Sequence, residues 1–356
     1  MDMTPLIGVL MYVIGGAAGA SFYLPFKRVR SWAWESYWMI YTVTALLVVP
    51  WVLAFFMSPN VISVLRAAPW ETLGLCFLFG AMWGAGGLTW GLMIRYLGVG
   101  LGVAIGCGLC AAVGTLVPPY FLGEFSTLVG KPSGPATLTA WLIGVGVSLL
   151  GIILTGAAGM SKEGELSEEE KKATVAEFSF TRGILVAIFS GVMSAGMAFG
   201  LNTAKEVIVP LAKTTAPVTH PLWAGLPGLV VVLLGGFTVN FIWCLILNVK
   251  NRTGSDYLKA GVPLLANLVF AALAGALWYS QMVFYTMGDS KIGKFSFSGW
   301  SVFMSSQIIF STLWGIALLE WKGSSRRTKK LLTAGLAVLV VSLVIIGYGN
   351  YLKPLE

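Results

Sequence analysis

Long apolar stretches without a charged side chain are the feature that most restricts the fold of this chain. Residues 222–247 are one example. In lipid, every backbone N–H and C=O group must be hydrogen-bonded within the protein, so only helices and closed β-barrels span a membrane. Barrel strands are segments of roughly ten residues with alternating hydrophobicity, whereas a helix needs about twenty apolar residues to cross about 30 Å of hydrocarbon. The pattern therefore predicts an all-α integral membrane protein.

The composition argues against a water-soluble enzyme. Of the 356 residues, 57% are hydrophobic and 11% are charged, which is more apolar than a soluble domain of this length. The formal net charge is +8, but the Lys and Arg residues form short clusters between apolar stretches instead of one basic face. Nucleic acid is therefore not an expected partner.

The four cysteines indicate packing rather than chemistry. Cys76, Cys107, Cys110 and Cys244 all lie inside apolar stretches, where a free cysteine usually acts as a small hydrophobic residue. The CxxC formed by Cys107 and Cys110 would need polar neighbours or further ligands to bind zinc, and the single histidine, His220, is far away in sequence. We expect no metal and no cofactor.

Ten spans are predicted from the charge-free apolar stretches. Most loops between them are short, so consecutive helices are expected to be antiparallel neighbours. The predicted spans are 5–26, 36–57, 72–94, 97–121, 137–158, 183–204, 222–247, 261–287, 296–319 and 331–351. The first lacks the basic region and cleavage pattern of a secretory signal, so it is expected to be retained.

A charged segment divides the chain into two halves. Residues 159–182 hold most of the charge outside the spans and are interpreted as a solvated linker, in which Ser167 and Glu170 have the spacing of a helix-capping box. The predicted domains are an N-terminal five-helix half at 1–158, this linker, and a C-terminal five-helix half at 183–356. Most Lys and Arg residues lie in the odd-numbered loops, so the positive-inside rule places those loops and the linker in the cytoplasm and both termini in the periplasm.

The third helix of each half carries an internal repeat. Residues 80–98 align without gaps on 275–293, and the identical positions include Trp83, which is matched by Trp278. The first helices of the two halves, with GASFYLPFK and GMAFGLNTAK, are also similar. An odd number of helices separates the copies, so the halves are expected to insert with opposite orientation. Such inverted repeats are typical of alternating-access carriers, which bind their substrate near the midplane.

Uncharged amides and aromatic rings within the predicted spans suit a neutral polyol such as a sugar. Asn and Gln side chains offer donors and acceptors to hydroxyl groups, and Trp and Tyr rings offer flat faces to C–H groups. The substrate-binding candidates are Trp83, Trp90, Asn202, Asn240, Asn267, Trp278, Gln281, Tyr285 and Gln307. The alternative for each is structural, since amides also join helices and Trp and Tyr also form interfacial belts.

Several segments of the chain resemble the L-rhamnose-proton symporter family. They include FYLPFKRVRSWAWE at 22–35, FGAMWG at 79–84, SAGMAFGLNTAK at 194–205 and GALWYSQMVFYTMG at 275–288. The family belongs to the drug/metabolite transporter superfamily, so the resemblance implies ten transmembrane helices as two inverted five-helix repeats. It also implies a bacterial inner membrane location and uptake of L-rhamnose, a deoxyhexose, with a proton. The alternatives are a drug or metabolite exporter, an importer of another sugar, and a membrane-embedded enzyme or sensor.

Proton coupling, which this resemblance implies, requires a titratable side chain that both faces of the membrane can reach. Ionisable residues within a membrane are functional candidates by default, but none lies at the centre of a predicted span. The proton-coupling candidates at span ends are Lys205, Asp289, Lys27 and Glu320, and the first two each end a repeated helix. Anchoring at the membrane interface is the alternative role for all four.

Overall fold

The computed structural model of this protein describes residues 4–131, 133–165, 179–259, 261–292 and 298–352, and these ranges contain helices but no strand. The helices are α1 Thr4–Ser21, α2 Trp34–Val43, α3 Val49–Met57, α4 Val61–Ala67, α5 Trp70–Phe121, α6 Glu124–Val129, α7 Gly134–Gly164, α8 Phe180–Ser194, α9 Gly196–Thr214, α10 Leu226–Lys250, α11 Leu264–Ile292, α12 Ser298–Ala317 and α13 Arg326–Leu352. The capping-box spacing predicted in the linker lies outside the described residues.

Eight helical stretches within the described ranges are long and apolar enough to cross a membrane. They are Leu6–Arg28, Trp34–Met57, Trp70–Met93, Gly134–Gly164, Thr181–Thr214, Pro221–Lys250, Leu264–Ile292 and Arg326–Leu352. The two remaining predicted spans are also helical, at Ile105–Phe121 and in α12. The prediction of a helical, multi-pass membrane protein is confirmed, and the count of ten crossings stays a prediction.

Helix α5 covers two predicted spans, 72–94 and 97–121, without the interruption that we expected between them. Its chain nevertheless reverses direction near the middle. A Cβ atom placed on Gly102 would lie 3.1 Å from Cγ of Met93, whereas nine residues of straight helix rise about 13 Å. Glycine permits so close an approach because it adds no side chain between the two backbones. α5 therefore has two arms, which correspond to the two predicted spans.

Both arms of α5 pack against α8. In the first arm, Oγ1 of Thr89 lies 2.5 Å from Oγ of Ser190. In the second arm, Cβ of Leu109 lies 2.7 Å from the position of a Cβ on Gly191. α8 continues through Ala195 into α9, so this span is longer than the predicted 183–204. The first helix of the second half therefore packs against both arms of α5.

A π-helical turn at Thr44–Val48 joins α2 to α3. Pro50, in the first turn of α3, lacks a backbone N–H and crowds the carbonyl group four residues earlier, and a wider turn relieves both effects. Gly275 of α11 packs against this turn, since a Cβ on it would lie 2.9 Å from Cβ of Thr44. The turn therefore brings α2 close to the repeated helix of the other half.

Helices α7 and α13, the last span of each half, pack along small residues. A Cβ on Gly151 would lie 2.7 Å from Cγ of Leu339, and one on Gly144 would lie 2.4 Å from Cγ1 of Ile346. In lipid there is no hydrophobic drive between helices, so close van der Waals packing of this kind supplies much of their association. This pair lies beside the helices that carry the candidate site.

Candidate functional site

The indole rings of Trp83 and Trp278 stack where the first arm of α5 meets α11. Their centroids lie 5.1 Å apart, with 30° between the ring planes. Gly236 of α10 provides the space for Trp83, because a Cβ at that position would lie 2.5 Å from its ring. Trp278 is buried. The pair forms a flat apolar surface between the two halves of the chain.

A cluster of α2 side chains extends this surface. The ring of Tyr41 lies edge-on to Trp278, with centroids 6.3 Å apart, and Trp38 packs on Tyr41 at 4.7 Å. Nε1 of Trp38 donates to Oδ1 of Asn240 at 3.1 Å, and Nδ2 of Asn240 donates to the carbonyl oxygen of Gly236 at 2.9 Å. Asn240 therefore joins the aromatic rings of one half to the helix that supports Trp83.

Two glutamine side chains meet at Gly19 of α1. A Cβ on Gly19 would lie 2.0 Å from Oε1 of Gln281 and 3.3 Å from Nε2 of Gln307, so these two atoms are no further apart than the sum of those distances. Gln281 is only 2% exposed, and neither amide forms a hydrogen bond with another described residue. The structure thus brings together two predicted site residues whose polar groups are available to a ligand.

A phenol on α1 and a carboxylate on α11 meet further along the same pair of helices. The hydroxyl group of Tyr12 donates to Oδ1 of Asp289 at 2.5 Å, and the Tyr12 ring packs on Tyr285 with centroids 5.2 Å apart. Gly288 and Gly299 leave space for the Tyr12 ring, since a Cβ on either would lie within 3 Å of it. Asp289, predicted as a proton-coupling residue, is therefore bound to α1.

Besides Asn240, two further predicted substrate-binding amides are used within the protein. Nδ2 of Asn267 donates to the carbonyl oxygen of Arg30 at 2.8 Å, and its Oδ1 accepts the backbone N–H of Arg30 at 3.0 Å. Asn267 is fully buried, so it acts as a clamp on the loop between α1 and α2. Nδ2 of Asn202 donates at 2.8 Å to the carbonyl oxygen of Ala198 in its own helix.

Trp90 lies away from the stacked tryptophans and joins the arms of α5 to α8. Its Nε1 donates to Oγ of Ser194 at 3.0 Å. A Cβ on Gly106, in the second arm, would lie 3.2 Å from the Trp90 ring. The ring therefore fills the space between the two arms.

Two predicted proton-coupling residues pair with each other at the surface. Nζ of Lys27 lies 3.3 Å from Oε1 of Glu320, and both side chains are about half exposed. Close by, Nε1 of Trp314 donates to Oγ of Ser21 at 2.9 Å. These contacts fasten the end of α1 to the segment after α12, so the pair is a structural tie at that end. Lys205, the fourth candidate, lies half-buried on α9.

Outside the spans, hydrogen bonding and burial perturb two titratable groups. Glu165, just after α7, accepts from the hydroxyl groups of Ser325 and Thr328 and from the backbone N–H of Ser325. These bonds lower the pKa of the Glu165 carboxyl group. Burial raises the pKa of Tyr257 to about 12, and its hydroxyl group donates to the carbonyl oxygen of Ser36 at 3.0 Å. Both groups hold loops together.

Sequence reasoning missed four residues of this region. Tyr12, Gly19, Trp38 and Tyr41 all contact predicted site residues. Trp38 and Tyr41 lie near the start of a span, where aromatic side chains are usually interfacial. Tyr12 could have been found only from its position, because a phenol inside an apolar span usually has a hydrogen-bond partner.

The site is uncharged at its centre, aromatic, and built by helices from both halves of the chain. In the described part of the chain, no group of three or more His, Cys, Asp or Glu residues is placed to hold a metal. Amides and indole rings enclosed by apolar helices can bind a neutral polar molecule but do not form a nucleophilic constellation. Together the fold and the site define a multi-pass α-helical membrane protein with a neutral, aromatic site between its helices, as is typical of membrane transporters.

Comparison with known proteins identifies the family. The family model of the L-rhamnose-proton symport protein (RhaT) matches residues 1–351. The chain is 36% identical over 348 residues to the L-rhamnose-proton symporter of Cronobacter sakazakii, covering 96% of this chain and 97% of that protein. It is 33% identical over 354 residues to the L-rhamnose-proton symporter of Yersinia pestis, covering 98% and 99%. The chain belongs to the L-rhamnose-proton symporter family.

Proposed function

We propose that this protein imports L-rhamnose together with a proton by alternating access. Membership of the family over almost the whole chain supports the substrate and the ion. The single structural observation that carries the proposal is the stacking of Trp83 on Trp278, because it provides an apolar face for a sugar between the two halves. Such a position can be opened to either side of the membrane in turn.

The same contact supports two inverted five-helix repeats. Trp83 and Trp278 occupy one repeat position, and equivalent residues that touch lie on the axis relating the copies. The repeated glycines behave alike. A Cβ on Gly80 would meet the backbone of Val232 in α10, and one on Gly275 would meet the turn after α2 at Thr44. Each third helix thus packs against the second helix of the opposite half.

The sugar site that we propose is lined by Trp83, Trp278, Gln281 and Gln307, and Asn240, whose amide bonds Trp38 and Gly236, holds the aromatic rings in place. The rings offer faces to the C–H groups of the sugar, and the amides offer donors and acceptors to its hydroxyl groups. Asn267 and Asn202 have their amide groups bonded to backbone, which leaves them outside this set. Tyr285 packs on Tyr12, and Trp90 bonds Ser194 away from the stacked tryptophans, so neither belongs to this set.

Asp289 is the proton carrier that we propose. It is half-buried at the end of α11, and a carboxyl group there can gain or lose a proton more readily than the fixed charge of an arginine. Its bond to Tyr12 links its charge to α1, the helix that contacts the glutamines. Lys27 and Glu320 are better suited to close one end of the molecule, since opening that end would break their ion pair.

For the location we propose a bacterial inner membrane, with the odd-numbered loops and the linker in the cytoplasm and both termini in the periplasm. The supporting observation is the excess of Lys and Arg in the odd-numbered loops. The partners are the sugar, the proton and membrane lipid. Nucleic acid is not among them, because the Lys and Arg residues form short clusters between apolar stretches of the sequence.

Uptake of labelled L-rhamnose into membrane vesicles tests this function directly. An imposed pH gradient, acidic outside, should drive accumulation above the external concentration, and an uncoupler should abolish it. Vesicles without the protein provide the control. Accumulation that persists after the proton gradient has collapsed would show that the proton is not the coupling ion, and absence of uptake would exclude rhamnose.

A further inference from the structure

Gly19, Gln281 and Gln307 form an amide niche between α1, α11 and α12. Oε1 of Gln281 lies 2.0 Å, and Nε2 of Gln307 3.3 Å, from the position that a Cβ on Gly19 would take. The side chain of Gln281 therefore occupies the space that any residue larger than glycine would fill. The contact of α1 with α11 and α12 at this point therefore requires glycine at position 19.

The niche has hydrogen-bonding capacity that the protein does not use. Neither amide bonds another described residue, although Gln281 is almost fully buried. Their polar atoms are not among the fully enclosed atoms without a partner in the described chain, so both amides keep contact with accessible space, where water or a ligand can bind them. Asn267, in contrast, shows how a structural amide on the same helix satisfies both of its polar atoms.

We infer that Gly19 is a specificity-determining residue, which holds the Gln281 amide beside Gln307 so that the two amides bind neighbouring hydroxyl groups of the sugar. This inference rests on the proposed function and specifies where the sugar is recognised. Trp278 lies one helical turn before Gln281, so the hydroxyl groups can bind at the niche while a C–H face rests on the indole.

The chemistry of the niche fits a vicinal diol. Each amide carries an N–H donor and a carbonyl acceptor, and each sugar hydroxyl both donates and accepts. Two adjacent amides can therefore satisfy two adjacent hydroxyl groups reciprocally. L-Rhamnose carries a methyl group in place of the last hydroxymethyl of a hexose, so its hydroxyl-bearing ring edge is the part that suits the niche.

The substitution Gly19→Ala separates this role from a packing role. The nearest atom to the new methyl group is Oε1 at the end of the flexible Gln281 side chain, which can rotate away without moving the backbone. The fold should therefore persist while the amide leaves its place. Gly87→Ala is the matched control, because a Cβ on Gly87 meets no atom within 4 Å.

A double-mutant cycle on uptake kinetics provides the test. Gly19→Ala and Gln281→Ala should each raise KM about tenfold, the loss expected of a sugar hydrogen bond, with little change in the maximal rate. The double variant should be no worse than Gln281→Ala alone, since the alanine then has no amide to displace. Additive effects, an unchanged KM in Gly19→Ala, or a change confined to the maximal rate would overturn the inference.

Two further measurements distinguish this inference from the proposed function. Wild-type protein is first assayed with L-rhamnose, L-mannose and L-lyxose, and the cycle is run with the sugar of lowest KM. Normal coupled uptake with additive variants refutes the niche alone, whereas absence of uptake of every sugar refutes both proposals. If Gly19→Ala fails to reach the membrane, the cycle of Gln281→Ala with Gln307→Ala replaces it, and strict additivity there counts against the niche.

Discussion

Tyr12 donates a hydrogen bond to Asp289 that joins α1 to the end of α11. Tyr12 is fully buried, whereas Asp289 is half-buried, so the carboxylate keeps some access to water while it is bonded to the protein interior. The same pair of helices contains Gly19 and Gln281, which are in contact further along. A change in the charge of Asp289 therefore acts on the interface at which we propose that the sugar binds, which is the physical requirement for coupling.

Asp289→Asn should abolish accumulation of L-rhamnose but preserve exchange of labelled for unlabelled sugar. Asparagine has nearly the size of aspartate and can still accept from Tyr12, but it cannot carry a proton. Accumulation and counterflow are measured in the same vesicles. Glu71→Gln, at an exposed position, is the control for loss of a carboxylate, and equal loss of both activities would show that Asp289 has a structural role.

Replacing either stacked tryptophan should weaken sugar binding. Trp83→Ala and Trp278→Ala each remove half of the apolar platform, and an aromatic contact worth about 0.5–1.5 kcal/mol corresponds to a rise in KM of up to about tenfold. KM for uptake is the measurement. Trp70→Ala is the control, because Trp70 is 87% exposed. Unchanged KM in both variants would remove the pair from the site.

Asn267→Ala should destabilise the protein and leave KM for sugar unaltered. The substitution removes both hydrogen bonds to the backbone of Arg30, and unpaired buried groups cost about 1–3 kcal/mol. Thermal unfolding in detergent and uptake kinetics are measured on the same preparation. A raised KM without loss of stability would return Asn267 to the sugar site.

Protonation of Glu165 should lower the stability of the protein in acid. The hydroxyl groups of Ser325 and Thr328 hold the pKa of the Glu165 carboxyl group below its ordinary value of 4.5, so its contribution to stability is complete above about pH 4.5 and is lost as pH falls through the folded-state pKa. The unfolding temperature of wild type should therefore fall more steeply below pH 4.5 than that of Glu165→Gln. If the unfolding temperatures of the two proteins fell equally with pH, the stabilising role of the Glu165 carboxylate would be contradicted.

Much of the fold could be predicted because the lipid bilayer restricts the structures that can cross it. A charge-free stretch long enough to cross the bilayer has to be helical, and the predicted spans coincide with helical segments in the described chain. Arg95 and Tyr96 mark the boundary between the two predicted spans of α5, but the continuous helix and the close contact of Met93 with Gly102 could not be predicted, because they depend on the fold. Pro50 is visible in the sequence, but a proline alone does not indicate whether the helix will kink, end or form a π-helical turn.

The site was harder to predict because amides look alike in a sequence. Asn267 and Gln281 both lie in the same apolar helix, but a backbone segment faces Asn267, whereas a glycine faces Gln281. That distinction is set by residues more than two hundred positions away. For the same reason Gly19 and Tyr12 were not predicted, since each gains its significance from a partner in the second half.

The stacked tryptophans have a consequence for the balance of conformations. In the inverted repeat that we propose, exchanging the halves turns an outward-open molecule into an inward-open one, and it also exchanges Trp83 with Trp278. The same substitution at the two positions should therefore tilt the resting population in opposite directions. Substituting both together should largely restore the balance, although the carrier would still lack its platform.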